Sequence, residues 1–170
     1  MTEARQDNDF IIQDTTLIKY TGSSHTATVP NGILCIKQEA FFECKTLLKV
    51  ILPDGLREIG DNAFAHCCNL REISFPGTLQ KIGAGAFCCC KELQEIKLPS
   101  SVKELGAYED YGVFDGCTKL KEVVLSSKIK RIYAYTFKDC VNLKSISSRK
   151  HIKIYPDAFL GSGFNSNSRI

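Results

Sequence analysis

The sequence predicts a β-rich α/β solenoid, a right-handed stack of short coils with a parallel sheet on its concave face. Three observations support this fold class. A sequence motif of about two dozen residues occurs five times between residues 29 and 148, and repeats of this length are typical of solenoids. Each copy alternates apolar and polar residues over part of its length. Each also has a central phenylalanine at steps of 23, 23, 27 and 23 residues, with a degenerate sixth copy 22 residues on: Phe41, Phe64, Phe87, Phe114, Phe137 and Phe159.

Each part of the repeat predicts a local structure. Its first part, such as residues 93–98, alternates apolar and polar side chains, which indicates a short half-buried strand that the following proline ends. A second apolar pair precedes a glycine, where we expect the coil to turn sharply. The Ala-Phe pair then predicts a short helical or 3-10 turn. No coil can bury its apolar face alone, so the phenylalanine column is predicted to be the spine of a shared core.

The two ends of the chain differ in composition from the repeats. Residues 1–9 are polar and residues 161–170 are rich in glycine, serine and asparagine, so both are predicted to be flexible tails. Residues 10–22 hold two short apolar runs joined by turn formers, which predicts a β-hairpin. This hairpin would cap the stack, because an open solenoid end exposes core and sheet edge. We therefore expect one domain over residues 10–160, with repeats from residue 26.

The nine cysteines are predicted to be free thiols. Their number is odd, no N-glycosylation sequon occurs, and five of them share one repeat position: Cys44, Cys67, Cys90, Cys117 and Cys140. Cys68, Cys88 and Cys89, with His66, could form a zinc or oxidation-sensitive cluster on adjacent coils. Adjacent side chains are expected to alternate in direction, and no C-x-x-C pair occurs among them. We therefore expect no metal site and no cofactor.

The sequence gives no indication of catalysis or of a membrane span. The three histidines stand apart from other catalytic groups, and the motifs of hydrolases, metalloproteases and phosphate-binding loops do not occur. The apolar runs are shorter than the roughly 20 residues that span a bilayer. The polar, acidic start lacks the features of a secretory signal, which favours a cytoplasmic location. We expect a protein that is not an enzyme.

The complete repeat, read from Leu52 to Ile73, resembles the leucine-rich repeat of BspA type. It follows the pattern Leu-Pro-x-x-Leu-x-x-Ile-Gly-x-x-Ala-Phe-x-x-Cys-x-x-Leu-x-x-Ile, and the likeness extends over residues 10–160. This subclass occurs in surface proteins of oral and gut bacteria and in parasitic protists. Members of known role are adhesins and interaction modules, some of which bind host matrix proteins. The resemblance therefore implies protein binding and makes a cell-surface location an alternative.

Outward positions of the predicted strands form columns along the concave face, where repeat proteins usually bind their partners. One column is largely basic and the next is largely acidic. The candidate partner-binding residues in these columns are Arg71, Glu72, Gln94, Glu95, Lys97, Lys121, Glu122 and Lys144. The alternative interpretation is that these charges are solvated and pair across the coils, which contributes little stability.

The fourth repeat contains the single insertion, residues 107–112, where its neighbours have two residues. Insertions in repeat proteins map to loops on one face and often carry recognition. Tyr108 and Tyr111 flank two acidic residues in this insertion and would suit an interface hot spot. Surface loops also tolerate length changes at low cost, so a neutral loop is the alternative.

Charge is distributed unevenly along the chain, although the formal net charge is only +3. Residues 1–116 carry 11 basic and 16 acidic side chains, whereas residues 117–154 carry 10 basic and 2 acidic ones. The basic block includes Lys128, Lys130 and Arg131. It predicts docking of an acidic partner or polyanion, or head-to-tail self-association, unless it serves only solubility. Nucleic acid is a weaker option, because no aromatic residues interleave with the basic ones.

These patterns predict a non-catalytic protein-interaction scaffold that binds a protein partner through its concave face, the fourth-repeat insertion or the basic C-terminal end. An adhesin-like surface protein that binds host or matrix components is one alternative. A polyanion-binding or self-associating module is another. A scaffold in a reducing compartment and a surface adhesin differ in redox environment, so nine free thiols would favour the scaffold.

Overall fold

The computed structural model describes residues 5–148 and 151–164, with side chains from residue 8 onward. Within these residues the chain forms strands and turns and no helix. Three strands at the N-terminus precede six stacked coils. Each coil contributes one strand of three residues and then one strand of two residues. The solenoid fold predicted from the repeats is confirmed.

The six coils are numbered in chain order by their strands. The three-residue strands are β4 (Thr26–Thr28), β6 (Lys49–Ile51), β8 (Glu72–Ser74), β10 (Glu95–Lys97), β12 (Glu122–Val124) and β14 (Ser145–Ser147). The two-residue strands are β5 (Cys35–Ile36), β7 (Glu58–Ile59), β9 (Lys81–Ile82), β11 (Glu104–Leu105), β13 (Arg131–Ile132) and β15 (Lys153–Ile154). All coil-to-coil pairs are parallel, and equivalent repeat positions lie side by side, as in Val50 opposite Ile73.

An antiparallel cap covers the N-terminal end of the stack. Strands β2 (Phe10–Gln13) and β3 (Thr16–Tyr20) form the predicted hairpin, and β3 then pairs in parallel with β5 of the first coil. A further strand, β1 (Arg5–Asp7), pairs with β2. Residues 5–7, within the tail predicted over residues 1–9, form this strand because the open edge of β2 offers their backbone hydrogen-bond partners. Residues 1–4 lie outside the described residues.

The C-terminal end of the chain remains packed on the solenoid beyond residue 161, where the flexible tail over residues 161–170 was predicted to begin. The Phe164 ring stacks on Phe159 with 4.8 Å between centroids. The backbone N–H of Gly163 donates to the carbonyl oxygen of Cys140 at 3.1 Å. The chain therefore stays packed as far as Phe164, because its ring covers the last ring of the core. Residues 165–170 lie outside the described residues.

The phenylalanine column is the spine of the core, as the repeat predicts. From Phe41 to Phe159 successive ring centroids lie 4.6 to 5.7 Å apart, and neighbouring ring planes differ by 18° or less. All but Phe159 are fully buried. Tyr20 of the cap stacks on Phe41 at 5.0 Å and extends the column to the N-terminal end. Such ring pairs contribute beyond the area they bury, so the column ties the coils together along the axis.

The short helical turns predicted around the phenylalanines are not confirmed. Ala63 and Ala65 donate hydrogen bonds to residues three positions earlier in their own coil. Asn62, Phe64 and His66, which alternate with them, donate instead to carbonyl oxygens of the next coil. A 3-10 helix needs consecutive bonds within one segment, so this alternation prevents it. Asn62 and His66 also have φ values of 54° and 61°, which turn the chain on either side of Phe64.

The glycines that follow the two-residue strands are required by close packing. Gly60 and Gly83 each begin a turn, since the N–H groups of Ala63 and Ala86 donate to their carbonyl oxygens, but these glycines and Gly106 do not have positive φ. A Cβ on Gly60 would lie 2.6 Å from the backbone nitrogen of Gln38 on the preceding coil. The glycine column therefore sets the spacing of the coils, and the turns lie beside the phenylalanines.

Each type of strand builds a parallel sheet of its own, and each sheet is interrupted once in the described chain. The concave sheet of three-residue strands divides into β4-β6-β8 and β10-β12-β14. The sheet of two-residue strands, continuous from the cap to β11, is separate from the pair β13-β15. We call these interruptions the β8/β10 gap and the β11/β13 gap. The repeats alone predicted one uninterrupted concave sheet.

Candidate functional site

The concave sheet presents the predicted charged columns to solvent. All eight candidate residues in these columns are exposed. Lys49 Nζ lies 2.8 Å from Glu72 Oε2 on the neighbouring strand, and Lys97 Nζ lies 3.1 Å from Glu95 Oε2. Glu95 also stands directly opposite Glu122, which has no ion-pair partner among the described residues. Cross-coil pairing therefore accounts for part of the charge pattern, and Glu122 remains available to a partner.

The β8/β10 gap is a cleft between two strand edges. At the next junction, the backbone N–H of Lys121 donates to the carbonyl oxygen of Gln94 at 2.8 Å. The equivalent bond from Gln94 to Arg71 does not occur in the described chain, and neither does the one from Phe75 to Lys97. Backbone donors and acceptors of both strands therefore face the cleft without a partner on the opposite strand.

Five of the predicted partner-binding residues line this cleft. Its volume is about 480 Å³, and its lining comprises Arg71, Glu72, Ile73, Ser74, Phe75, Gln94, Glu95 and Lys97. Ile73 and Phe75 are only half-buried, whereas Ile96 and Leu98, at the same repeat positions of the next coil, are buried. The cleft thus combines an apolar floor with a charged rim. The floor residues and Ser74 were not among the candidates from the sequence.

Glu92 holds the rim of the cleft in place. Its carboxylate lies 2.7 Å from Lys119 Nζ and 3.8 Å from Arg71 Nε. The hydrogen bond from Lys119 lowers the pKa of Glu92. Lys121, a predicted candidate, donates from Nζ to the Gln94 side-chain oxygen at 3.2 Å. Lys144 lies one coil further on, outside the cleft.

The fourth-repeat insertion folds back over the two preceding coils. Ala107 and Gly112 form an antiparallel bridge, which closes a short loop. The Tyr108 hydroxyl donates to Asp61 Oδ2 at 2.9 Å, and the Tyr111 hydroxyl accepts from the Asn62 side chain at 3.2 Å. Both predicted hot-spot tyrosines are thus engaged within the chain.

The packing of these two rings restricts what they offer to a partner. The Tyr108 and Tyr111 centroids lie 5.0 Å apart, and a Cβ on Gly85 would lie 2.5 Å from the Tyr111 ring. The absence of a side chain at Gly85 therefore leaves the space that the Tyr111 ring occupies. The hydrogen bond to Asp61 raises the pKa of Tyr108 to about 12. Tyr108 remains exposed along one side, while Tyr111 is half-buried.

The remaining predicted residues, Lys128, Lys130 and Arg131, lie on another face. They line a groove of about 640 Å³ at the β11/β13 gap. The other lining residues are Lys103, Glu104, Leu105, Ser127, Ile129, Tyr133 and His151. Predicted site residues therefore form three groups, at the concave cleft, the insertion and this groove. The fourth repeat is four residues longer than its neighbours, and the extra residues come shortly after β11. This insertion was therefore the feature of the sequence that marked the position of the groove.

The cysteine column forms a regular set of hydrogen bonds in the core. Each buried thiol lies 3.1 Å from the carbonyl oxygen of the phenylalanine on the preceding coil, beginning with Cys67 and Phe41. Burial raises the pKa of Cys90, Cys117 and Cys140. Such thiols act as small apolar residues with a weak donor.

The second group of cysteines differs from the expectation. The Sγ atoms of Cys88 and Cys89 lie 3.7 Å apart, although adjacent side chains were expected to point in opposite directions. Cys89 has a φ of 58°, which places both side chains on one side of the chain. In the described part of the chain, no three His, Cys, Asp or Glu side chains are placed to hold a metal ion.

The order of strands, turns and core columns is that of a known repeat family. A profile of the BspA type leucine-rich repeat region matches residues 12–111 and 36–167, in six copies. This chain belongs to the BspA type leucine-rich repeat family. The family is one of repeat scaffolds that generally act as protein-interaction modules. None of the curated proteins compared with the chain matches it.

Solved structures of bacterial leucine-rich repeat proteins are similar to this chain in fold. A leucine-rich repeat protein from T. pallidum is 28% identical, with a TM-score of 0.73 over 95% of this chain and 85% of its own. The pneumococcal vaccine antigen PcpA is 31% identical, with a TM-score of 0.70 over 88% of this chain and 36% of its own. A leucine-rich repeat protein from Eubacterium ventriosum is 26% identical, with a TM-score of 0.67, and the coverage is 92% and 48%. In the described residues, no helix could cross a membrane.

Proposed function

We propose that this chain is a non-catalytic scaffold that binds a protein partner through its concave face, with the β8/β10 gap at the centre of the contact. The observation that carries the proposal is the cleft itself. Five predicted binding residues surround its apolar floor, and two strand edges border it. An apolar centre with a polar rim is the usual composition of a protein interface.

An extended segment of the partner suits this cleft best. Added strands bind by hydrogen bonds to an open strand edge, and neighbouring side chains supply the specificity. Here the edge groups of Arg71 and Gln94 are open, and Ile73 and Phe75 offer apolar contact. The exposed ion pairs on the rim contribute little to stability, so a partner can replace them at low cost.

The experiment compares two triple variants in capture from the source cell. The cleft variant carries Arg71→Ala, Glu72→Ala and Lys97→Ala. The control carries Arg57→Ala, Glu58→Ala and Lys81→Ala, which are the same residue types on the other sheet. The control also removes a comparable ion pair, since Lys81 and Glu58 lie 3.0 Å apart.

The wild type and the control should retain a protein that the cleft variant loses. With that protein purified, the cleft variant should weaken binding at least about tenfold, which corresponds to about 1.4 kcal/mol. Equal retention by both variants would refute the concave site.

A second candidate is an adhesin-like protein at the cell surface. The similarity to the pneumococcal vaccine antigen PcpA favours it. The nine free cysteines instead support a scaffold in a reducing compartment. Antibody labelling of intact and permeabilised cells separates the two. Labelling of intact cells supports the adhesin, and labelling only after permeabilisation supports the scaffold.

A further inference from the structure

The β11/β13 gap leaves two strand edges open on the face away from the concave sheet. Between coils 3 and 4, the two-residue strands and the residues that flank them are joined by backbone hydrogen bonds. Between coils 4 and 5, the equivalent bonds from Lys130 to Lys103 and from Tyr133 to Leu105 do not occur in the described chain. The carbonyl groups of β11 and the N–H groups of β13 therefore face the groove.

The insertion explains why these strands do not pair. It begins directly after β11 and turns back to Asp61 and Asn62. The corresponding residues of other coils run on along their neighbours, as when the N–H of Asn62 donates to the carbonyl oxygen of Ala84 at 2.9 Å. Because the extra residues leave coil 4 shortly after β11, β13 of coil 5 has no paired strand in coil 4. The groove is thus produced by the same insertion that the tyrosines anchor.

The groove is strongly basic, and its cations lack partners. Lys103, Lys128, Lys130 and Arg131 line it, and Glu104 is the one carboxylate among the lining residues. None of the four cations forms an ion pair within the described residues, in contrast to Lys49 and Lys97 of the concave sheet. The neighbouring Tyr133 raises the pKa of the Arg131 guanidinium, which keeps its charge. Unpaired cations around a concave site raise the local concentration of anionic ligands.

We propose that the β11/β13 groove binds an extended acidic segment of a partner protein. Carboxylates of such a segment would pair with the four cations, and its backbone would bond to the open strand edges. This inference extends the proposed interaction role to a second face of the molecule. It is tested with a probe that does not depend on the concave cleft, so either proposal can fail alone.

Other anionic occupants fit the groove less well. A uniformly charged polyanion would meet Glu104 and could not use the strand edges. Nucleic acid would need a free aromatic face, and Tyr133 already packs on Tyr155 with centroids 5.2 Å apart. In a second copy, acidic side chains of coils 1–3 such as Glu39, Asp54 and Asp61 lie in turns, so they do not form an extended segment that could pair with the strand edges.

The test uses a fluorescent ten-residue peptide of alternating glutamate and valine, followed by anisotropy. The groove variant is Lys128→Gln, Lys130→Gln and Arg131→Gln. The control variant is Lys19→Gln, Lys37→Gln and Lys91→Gln, which removes the same charge from exposed lysines outside the groove and outside the concave columns. We expect the groove variant to lose at least tenfold in affinity and the control less than twofold. A peptide with alternate backbone nitrogens methylated should also bind at least tenfold more weakly to the wild type.

Three results would overturn the proposal. The first is a peptide that fails to bind the wild type or binds both variants equally. The second is a heparin fragment that binds more tightly than the peptide with the same dependence on the groove residues, together with no effect of N-methylation. The third is concentration-dependent association of the wild type in sedimentation that the groove variant abolishes, because the occupant would then be a second copy.

Discussion

The side-chain amide of Asn69 donates a 2.7 Å hydrogen bond to the carbonyl oxygen of Lys45 on the neighbouring coil. Asn142 makes the same bond at the same distance to Thr118. Glu92 occupies the equivalent position just before β10, and its carboxylate cannot donate to the carbonyl oxygen of Cys68. The amide bond is therefore missing where the chain enters the β8/β10 gap. Lys119 holds the same position in coil 5, where β12 pairs with β10, so the missing amide bond alone does not open the cleft.

Replacement of Asn69 by alanine should lower the free energy of unfolding by about 0.5–1.5 kcal/mol, because a backbone carbonyl loses its donor. Replacement of Glu92 by alanine removes exposed ion pairs, whose small contribution is screened by salt. Denaturant unfolding at low and high salt separates the two effects. The loss of unfolding free energy caused by Asn69→Ala should not change with salt concentration. A strong salt dependence of this loss would contradict a hydrogen bond between neutral groups.

Replacement of Phe87 by alanine should lower the free energy of unfolding by about 3–5 kcal/mol, because the ring is fully buried between two stacked neighbours. Phe42→Ala is the matched control. Phe42 is 38% exposed and contacts only the His66 ring edge-on among the described aromatic groups. Its loss should cost less than about 1 kcal/mol. Equal losses of unfolding free energy in the two variants would show that the phenylalanine column does not stabilise the core.

The phenylalanine column and its burial could be predicted from the sequence. The β8/β10 gap and the β11/β13 gap could not. A repeat period places equivalent residues side by side, and this fixes which side chains share the core. The gaps depend on individual backbone bonds and on the direction in which the insertion leaves coil 4. Two signals were present, namely Phe75 in a column of leucines and Glu92 in place of asparagine. Neither could be interpreted without the neighbouring strand.

Titration of Tyr108 should report the contact between the insertion and coil 2. The hydrogen bond to Asp61 raises the pKa of Tyr108 to about 12, so the folded state holds this proton more tightly than the unfolded state. The contact is complete below pH about 10, the ordinary tyrosine pKa, and is lost as pH rises through about 12. Asp61→Asn should bring the pKa of Tyr108 back toward about 10.

The measurement is phenolate absorbance as a function of pH, with a Tyr108→Phe variant subtracted to isolate this residue. The subtraction is needed because burial also raises the pKa of Tyr20. If the Asp61→Asn variant titrates like the wild type, Asp61 does not hold the insertion.

The thiols should separate into two reactivity classes in the native protein. Four are buried and should be protected: Cys67, Cys90, Cys117 and Cys140. The other five are half-buried and should react: Cys35, Cys44, Cys68, Cys88 and Cys89. Unfolding should release all nine. Rapid native reaction of more than five thiols would contradict the packing of the cysteine column.

Within the reactive class, Cys44 should be modified before Cys88. The neighbouring thiol of Cys67 lowers the pKa of Cys44, whereas burial raises the pKa of Cys88 to about 12. The thiolate is the reactive form, so the rate follows the fraction deprotonated. Mass spectrometry of partially alkylated protein gives the order, and Cys44→Ser should remove the fastest phase. The sequence predicted the buried column, but the common orientation of Cys88 and Cys89 depends on a positive φ that composition does not reveal.

The positions of the two gaps give coil 4 a special mechanical role. Coil 4 is joined to coil 3 by the two-residue strands and to coil 5 by the three-residue strands, while the phenylalanine stack passes through both junctions. Each junction thus keeps one stiff side and one side that can open. Because the missing strand pairs lie on different faces, coil 4 shares one sheet with coils 1–3 and the other sheet with coils 5 and 6, and it is therefore the coil that links the two halves of the molecule.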